Sequence, residues 1–184
     1  MRIKNIISNV AEVLGLSDVV EFVQGGATIA QLRENMNYAS LLRCASLVVS
    51  NISANHSETI ARQSFDMTGT DGVILFDSFK ENVQSIKQVT QRGRVVEYGL
   101  YHDRLVVPKV LVEITFAFTP SIVTGNEHNP FKLPHQVLEY GILAEYAFIS
   151  GMFNEGRIWN EKFLEMIFGA KHRTGKAACM PTSF

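Results

Sequence analysis

The stretch Val110-Leu111-Val112-Glu113-Ile114-Thr115-Phe116-Ala117-Phe118-Thr119 alternates in side-chain character with a period of two. That period puts Val110, Val112, Ile114, Phe116 and Phe118 on one face of an extended chain and Glu113, Thr115 and Thr119 on the other, which predicts a β-strand with one buried face. Pro108 and Pro120 bracket the stretch, at ends where a missing N–H donor costs least. Upstream, from about residue 59, β-branched and aromatic residues accumulate through Val73-Ile74-Leu75-Phe76, Ile86, Val89 and the run from Arg94 to Tyr101. Turn signals at Thr68-Gly69-Thr70-Asp71-Gly72, Gln91-Arg92-Gly93-Arg94 and Tyr101-His102-Asp103-Arg104 divide this region into short strands. Residues 59–120 therefore read as an antiparallel meander.

The segments on either side have helical periodicity. Ile3, Ile6, Ile7, Val10, Val13 and Leu14 fall on one stripe that Gly15 ends. A short piece, 17–22, stops at Gly25-Gly26. Thr28-Ile29-Ala30-Gln31 is a capping-box pattern, and Leu32, Met36, Tyr38, Leu41, Leu42, Ala45, Val48, Val49 and Ile52 behind it predict one long helix from 28 to about 55, packed antiparallel to the first. Residues 121–134 form a polar loop. Pro134 introduces a helix whose apolar residues, from Val137 to Ile149, cover nearly its whole circumference, so burial on most sides is expected. Gly151 interrupts it. Asn154 is placed to cap a last helix, with Phe153 and Ile158 as a hydrophobic staple and Trp159, Phe163, Met166 and Ile167 as its stripe. The expected architecture is α+β: a single domain over 1–170 with an N-terminal helix pair (1–58), a central antiparallel sheet (59–120), a loop (121–134) and a C-terminal helical hairpin (135–170), followed by a basic tail, 171–184.

Composition narrows the function classes. The 184 residues are 46% hydrophobic and 19% charged, with 17 basic against 18 acidic side chains. A net charge of −1 provides no broad basic field for nucleic acid and does not describe an acidic solvating chain. The low charged fraction, with 12 Phe, 5 Tyr and 1 Trp, suggests apolar surface covered by another chain. Neutrality is also an average over unlike parts: Lys171, Arg173 and Lys176 are basic and no acidic residue follows position 170, leaving a body of net −4. Met180 and Phe184 add apolar anchors to this tail. Two readings of it stay open, a segment that orders on a partner's acidic groove or sheet edge and an unanchored terminus. Cys44 and Cys179, far apart in the chain, are expected as free thiols. The first residues lack the continuous apolar run of a signal peptide, and no apolar stretch approaches a bilayer span.

No catalytic spacing is legible: there is no phosphate-cradling glycine loop, dinucleotide fingerprint, His-Glu-x-x-His, nucleophile elbow or Cys-x-x-Cys. Histidines at 56, 102, 128, 135 and 172 are scattered. Glu139, Glu145, Glu155, Glu161 and Glu165 lie on the closing helices, but a carboxylate di-metal bundle needs Glu-x-x-His on two helices, and here His135 precedes Glu139 by four. The expectation is a non-enzyme with no cofactor and no metal.

The order of elements resembles that of the head-to-tail connector (adaptor, or head-completion) proteins of tailed bacteriophages and prophages. The residues that carry the resemblance are Ile6-Ile7-Ser8-Asn9-Val10-Ala11-Glu12-Val13-Leu14-Gly15-Leu16, Leu41-Leu42-Arg43-Cys44-Ala45-Ser46-Leu47-Val48, Thr115-Phe116-Ala117-Phe118-Thr119-Pro120, and Leu138-Glu139-Tyr140-Gly141-Ile142-Leu143-Ala144-Glu145-Tyr146, continuing through Gly151-Met152-Phe153-Asn154-Glu155 to Trp159. All are packing patterns rather than catalytic signatures. The resemblance implies a virion structural protein at the neck of the particle, in the host cytoplasm during assembly. It implies a homo-oligomeric ring, typically of twelve copies, that contacts the portal protein and a tail or further neck protein and lets double-stranded DNA pass without sequence-specific binding or membrane contact. It also implies a C-terminal arm reaching the portal, for which Lys171, Arg173, Lys176, Met180 and Phe184 are the candidate contacts. Alternatives are another virion component of the tail-completion or baseplate type, a small helical carboxylate metal protein built on the final hairpin, and a DNA-binding regulator.

Overall fold

A computed structural model describes residues 1–175. The fold is mixed α+β, as the alternating and helical periodicities predict. A single domain is expected, whereas the chain divides into two compact units: Met1–Asn51 together with the chain from Ser121 onward, and Ile52–Pro120. The second coincides closely with the predicted β region.

The first unit is helical. Helix α1 spans Ile3–Val13, α2 Ser17–Gln24, α3 Ile29–Glu34, α4 Met36–Asn55 (its last turn belonging to the second unit), α5 His135–Ile149 and α6 Phe153–Gly175. Helix α1 buries Ile3, Ile6, Ile7, Val10 and Ala11, while Val13, expected on the buried stripe, is exposed. Gly15, at φ 71°, follows the helix end as predicted. The capping box is present, with the Thr28 hydroxyl accepting from Gln31 N and the Gln31 side chain accepting from Thr28 N. The long helix expected over 28–55 is broken at Asn35, whose ψ of 114° is extended. The cause is local competition for hydrogen bonds: Asn35 Oδ1 accepts the Tyr38 N–H at 2.9 Å and its carbonyl accepts from Ala39 N, so Asn35 starts a new helix instead of continuing the old one. Its Nδ2 donates to Asp18 Oδ2, which Asn37 also reaches. These amide donors hold the Asp18 carboxyl below its usual pKa.

Helices α5 and α6 are antiparallel, with Phe163 against Gly141 and Phe148 against Gly156. The near-total burial expected for α5 holds for Val137, Leu138, Ile142, Leu143, Ala144 and Ala147, but Ile149 is exposed. Gly141 also meets Val48 of α4, so three helices close on a residue without a side chain. The predicted staple does not form. Helix α6 starts at Phe153, with the Met152 carbonyl accepting from Gly156 N, and both Phe153 and Ile158 are exposed.

The second unit holds two antiparallel sheets. Strands β1 (Thr59–Asp66), β3 (Val83–Gln91), β4 (Arg94–Val95) and β7 (Leu111–Phe118) form one, in the order β1-β7-β3-β4; β2 (Val73–Leu75), β5 (Gly99–Leu100) and β6 (Arg104–Val106) form the other, in the order β2-β6-β5. This corrects the meander. The last strand returns to lie between the first and the third, because only β1 and β3 are long enough to satisfy both edges of an eight-residue apolar strand. Val112, Ile114 and Phe116 are buried on the face predicted for them. They share one core with Val89, Ile74 and Leu105, and Phe79 sits between the rings of Phe65 (5.0 Å) and Phe116 (4.9 Å, edge-on). The predicted turns are present. In the β3–β4 hairpin Arg92 (φ 49°) and Gly93 (φ 78°) both take the left-handed conformation of a type I′ turn.

Three substitutions check this packing and the hairpin turn. A Cβ at Gly141 would lie 2.6 Å from Val48 Cγ1, so Gly141→Ala is expected to lower urea-unfolding stability by about 1–3 kcal/mol. At Gly169, where a Cβ meets nothing within 4 Å, Gly169→Ala should be neutral or slightly stabilising. Arg92→Gly relieves a left-handed non-glycine residue and should change the melting temperature little or raise it.

Candidate functional site

The loop from Ser121 to Pro134 does more than connect. The first amides of a helix have no partner within it, and here the Ile3 N–H donates to the Glu127 carbonyl (2.9 Å) and the Lys4 N–H to that of Gly125 (2.6 Å). Arg2 and His128 form a β-bridge beside them. The loop is held in turn by helix α4, where the Tyr38 hydroxyl donates to the Thr124 carbonyl (3.2 Å) and Ser46 Oγ to that of Ile122 (2.8 Å). Gly125, at φ 82°, lies so close to Tyr38 Oη that a Cβ would collide with it.

Glu127 organises the loop from within. Its carboxylate accepts from Val123 N, Thr124 N and Thr124 Oγ1, the last at 3.0 Å. Burial acts to raise its pKa, but the donors from its own backbone, Thr124 and Val123 outweigh that and hold it below the usual value. Tyr38, pushed up to about 12 by burial and by the nearby Glu127 charge, stays a neutral donor. Neither residue is among the predicted site residues. The Thr-x-x-Glu spacing of Thr124 to Glu127 is the signal that could have found Glu127; Tyr38 meets the loop across 86 positions and has no local signal.

The outer side of the α5–α6 pair carries a second cluster. Tyr140 and Trp159 stack at 5.7 Å with an 18° interplanar angle, and Lys162 Nζ lies 4.7 Å from the Trp159 ring centre. Lys162 stands one turn along α6 from Trp159, which sets the cation over the ring. Beside it, Asn9 Nδ2 donates to Glu139 Oε1 at 2.7 Å. Two open hollows flank the stack. One, of about 440 Å³, is lined by His135 and Glu139; the other, of about 670 Å³, runs from Lys132 to Gly169. The cluster provides a stacking face and charges of both signs, which suit recognition of a polar or aromatic surface.

Of the predicted tail contacts, Lys176, Met180 and Phe184 lie outside the described residues. Lys171 and Arg173 fall within α6, which extends to Gly175 rather than ending at 170, but their side chains lie outside what is described. Cys44 is buried as a free thiol, its pKa pushed up to about 11 by burial and by Glu145; Cys179 is outside the described residues. Glu155, Glu161 and Glu165 are exposed and do not converge with Glu139. Among the described residues, no three His, Cys, Asp or Glu side chains are grouped to hold a metal, and no helix is long and apolar enough to cross a membrane.

The Glu127 brace gives stability a pH dependence of definite sign. A carboxyl whose folded-state pKa is lowered contributes above its unfolded pKa and loses that contribution as pH falls through the folded value. Glu127→Gln should therefore cost about 1 kcal/mol at neutral pH, a hydrogen-bond contribution reduced by partial exposure. In urea titrations across the acid range the difference from the wild type should shrink as the pH drops below the carboxylate range; a difference independent of pH would refute the assignment.

No protein-family model matches this chain, and no curated protein sequence does.

Proposed function

We propose that this chain is a structural protein of tailed-phage virions, a head-to-tail connector that assembles as a ring between portal and tail around the DNA channel. The observation that carries the reading is the interruption of a helical unit, between α4 and α5, by a self-contained antiparallel β unit, the element order on which the resemblance rests. Large apolar side chains left exposed within each unit support it. They include Ile149, Phe153, Ile158 and Phe168 on the α5–α6 pair, and Val95, Leu100, Tyr101 and Leu111 in the β unit. Scattered exposed apolar residues are ordinary on a monomer, but a ring built from copies of this chain would cover some of them, and closure of a ring limits association. The near-neutral charge is compatible with a channel, since strong phosphate binding would retard DNA passage. The basic residues Lys171, Arg173 and Lys176 would then face the portal.

The test is assembly. Incubated with portal particles of the phage that encodes it and viewed by electron microscopy, the protein should add a collar of rotational symmetry at the tail-proximal end. Phe153→Glu and Ile158→Glu together should reduce collar formation at least tenfold while leaving the circular dichroism spectrum unchanged. Unaltered portal particles, with the chain remaining unassociated, would sink the proposal.

A further inference from the structure

Among the described residues, the four-stranded sheet has one long edge that no further strand covers; the segment after β2 meets that edge strand through the Gln63 side chain, which donates to the Ser78 carbonyl and accepts from Lys80 N. Strand β7 is paired on both sides. Strand β3 has register breaks between Val83 and Ser85 and between Ile86 and Gln88, and β4 covers its end; breaks and short covering strands are devices that keep a sheet from adding further strands. Strand β1 has neither. It runs eight residues in unbroken register with β7, from Thr59 opposite Phe118 to Asp66 opposite Leu111, and contains no proline and no lysine.

The register shows which backbone groups face outward. Met67 N donates to the Val110 carbonyl, continuing the β1–β7 pairing by one step. In an antiparallel pair the bonded residues alternate, so Phe65, Gln63, Ala61 and Thr59 bond to β7 while Ile60, Arg62, Ser64 and Asp66 direct N–H and C=O away from it. Ala61 and Phe65 pack on the core, and Ile60, Arg62, Ser64 and Asp66 are all exposed on the other face.

The order Ile-x-Arg-x-Ser-x-Asp is self-complementary. If a second β1 runs antiparallel along this edge, the outward-facing residues can meet in a few registers. One sets Arg62 opposite Arg62, which repels. Another sets Ile60 opposite Asp66, which strands the charge. The register centred on Ser64 puts Arg62 of each copy opposite Asp66 of the other, twice, and Ser64 opposite Ser64. Arg62 is available for this: its own-chain partner Glu113 is 3.9 Å away, and the two side chains are 71% and 47% exposed.

We propose that β1 is the docking edge for a second copy of this chain, pairing antiparallel about a twofold axis at Ser64 with reciprocal Arg62–Asp66 ion pairs. A twofold contact closes on itself and yields a pair, not a ring, so the proposal is independent of the connector reading. Within that reading, the pair is the form taken by copies that have not yet entered a ring. The ladder is short, so pairing is concentration-dependent.

The full-length protein tests this without a portal. In a Cys179→Ser background, Ser64→Cys should form a disulfide-linked dimer under mild oxidation, because bonded antiparallel residues have Cα atoms about 5.5 Å apart, within disulfide range; the buried Cys44 does not compete. Ile60→Cys in the same background should cross-link far less. By analytical ultracentrifugation, Arg62→Asp or Asp66→Arg alone should raise the dissociation constant of the pair about tenfold or more, since each change acts at two symmetric contacts. The combined exchange should restore it. A monomer at the highest soluble concentration, a dimer indifferent to the charge changes, or failure of Ser64→Cys to cross-link would each overturn the proposal. A ring that assembles on portal particles while no charge-dependent pair is found overturns the pairing and leaves the connector reading intact; a charge-dependent pair that never joins a portal supports the pairing and removes the connector.

Discussion

Strands β1 and β7 lie side by side, with Thr59 directly opposite Phe118, and the β unit is organised around that pairing. It joins the first strand of the excursion to the last, so the points where the chain enters and leaves the unit are neighbours. An inserted unit whose ends meet can fold around its own core and be accommodated between two helices of another unit. Contacts at the mouth reinforce the closure: Ser53 Oγ donates to the Phe118 carbonyl, and Lys87 Nζ contacts Glu58 Oε1 at 2.6 Å. Beyond the mouth, the apolar faces of both sheets meet around Phe79 and Phe116, each worth about 1.5–3 kcal/mol by burial.

In the helical unit the corresponding constraint is the supply of partners to backbone amides. Helix α1 begins almost at the chain start, with no side-chain cap from Arg2. Carbonyls of Gly125 and Glu127, more than a hundred residues away in sequence, meet that need. Their positions depend on the Glu127 carboxylate holding Val123 and Thr124 and on Tyr38 holding Thr124. Short polar interactions over a large sequence separation thus decide where α1 starts, while burial of Ile3, Ile6, Ile7 and Val10 provides most of its stability.

Legibility in the sequence followed the range of the interaction. The alternation from Val110 to Phe118, the Thr28–Gln31 box, the stop at Gly15 and the Arg92–Gly93 turn rest on neighbours within a few positions, and each has the predicted local form. The break at Asn35 was hidden because helical periodicity runs across it; only the partners Tyr38 and Asp18 reveal why the residue leaves the helix. The Phe153–Ile158 staple failed because the helix starts two residues early, a boundary shift that spacing does not resolve. In the site, the stripe containing Trp159 was legible, but its stack on Tyr140 required the pairing of α5 with α6. Glu127 lay inside what reads as an ordinary polar loop.

By itself, the sequence determined that a β region would sit between two helical regions, where its strongest strand would lie and which face of that strand would be buried, since periods of two and 3.6 record which side chains can share a face. Only the tertiary structure decided that β7 lies between β1 and β3, that β1 is the edge strand of its sheet, and that the loop after residue 120 caps α1. Those outcomes depend on matching backbone donors and acceptors across long stretches of chain, and backbone groups are the same in every residue, so the side-chain pattern carries almost no record of which strands will meet.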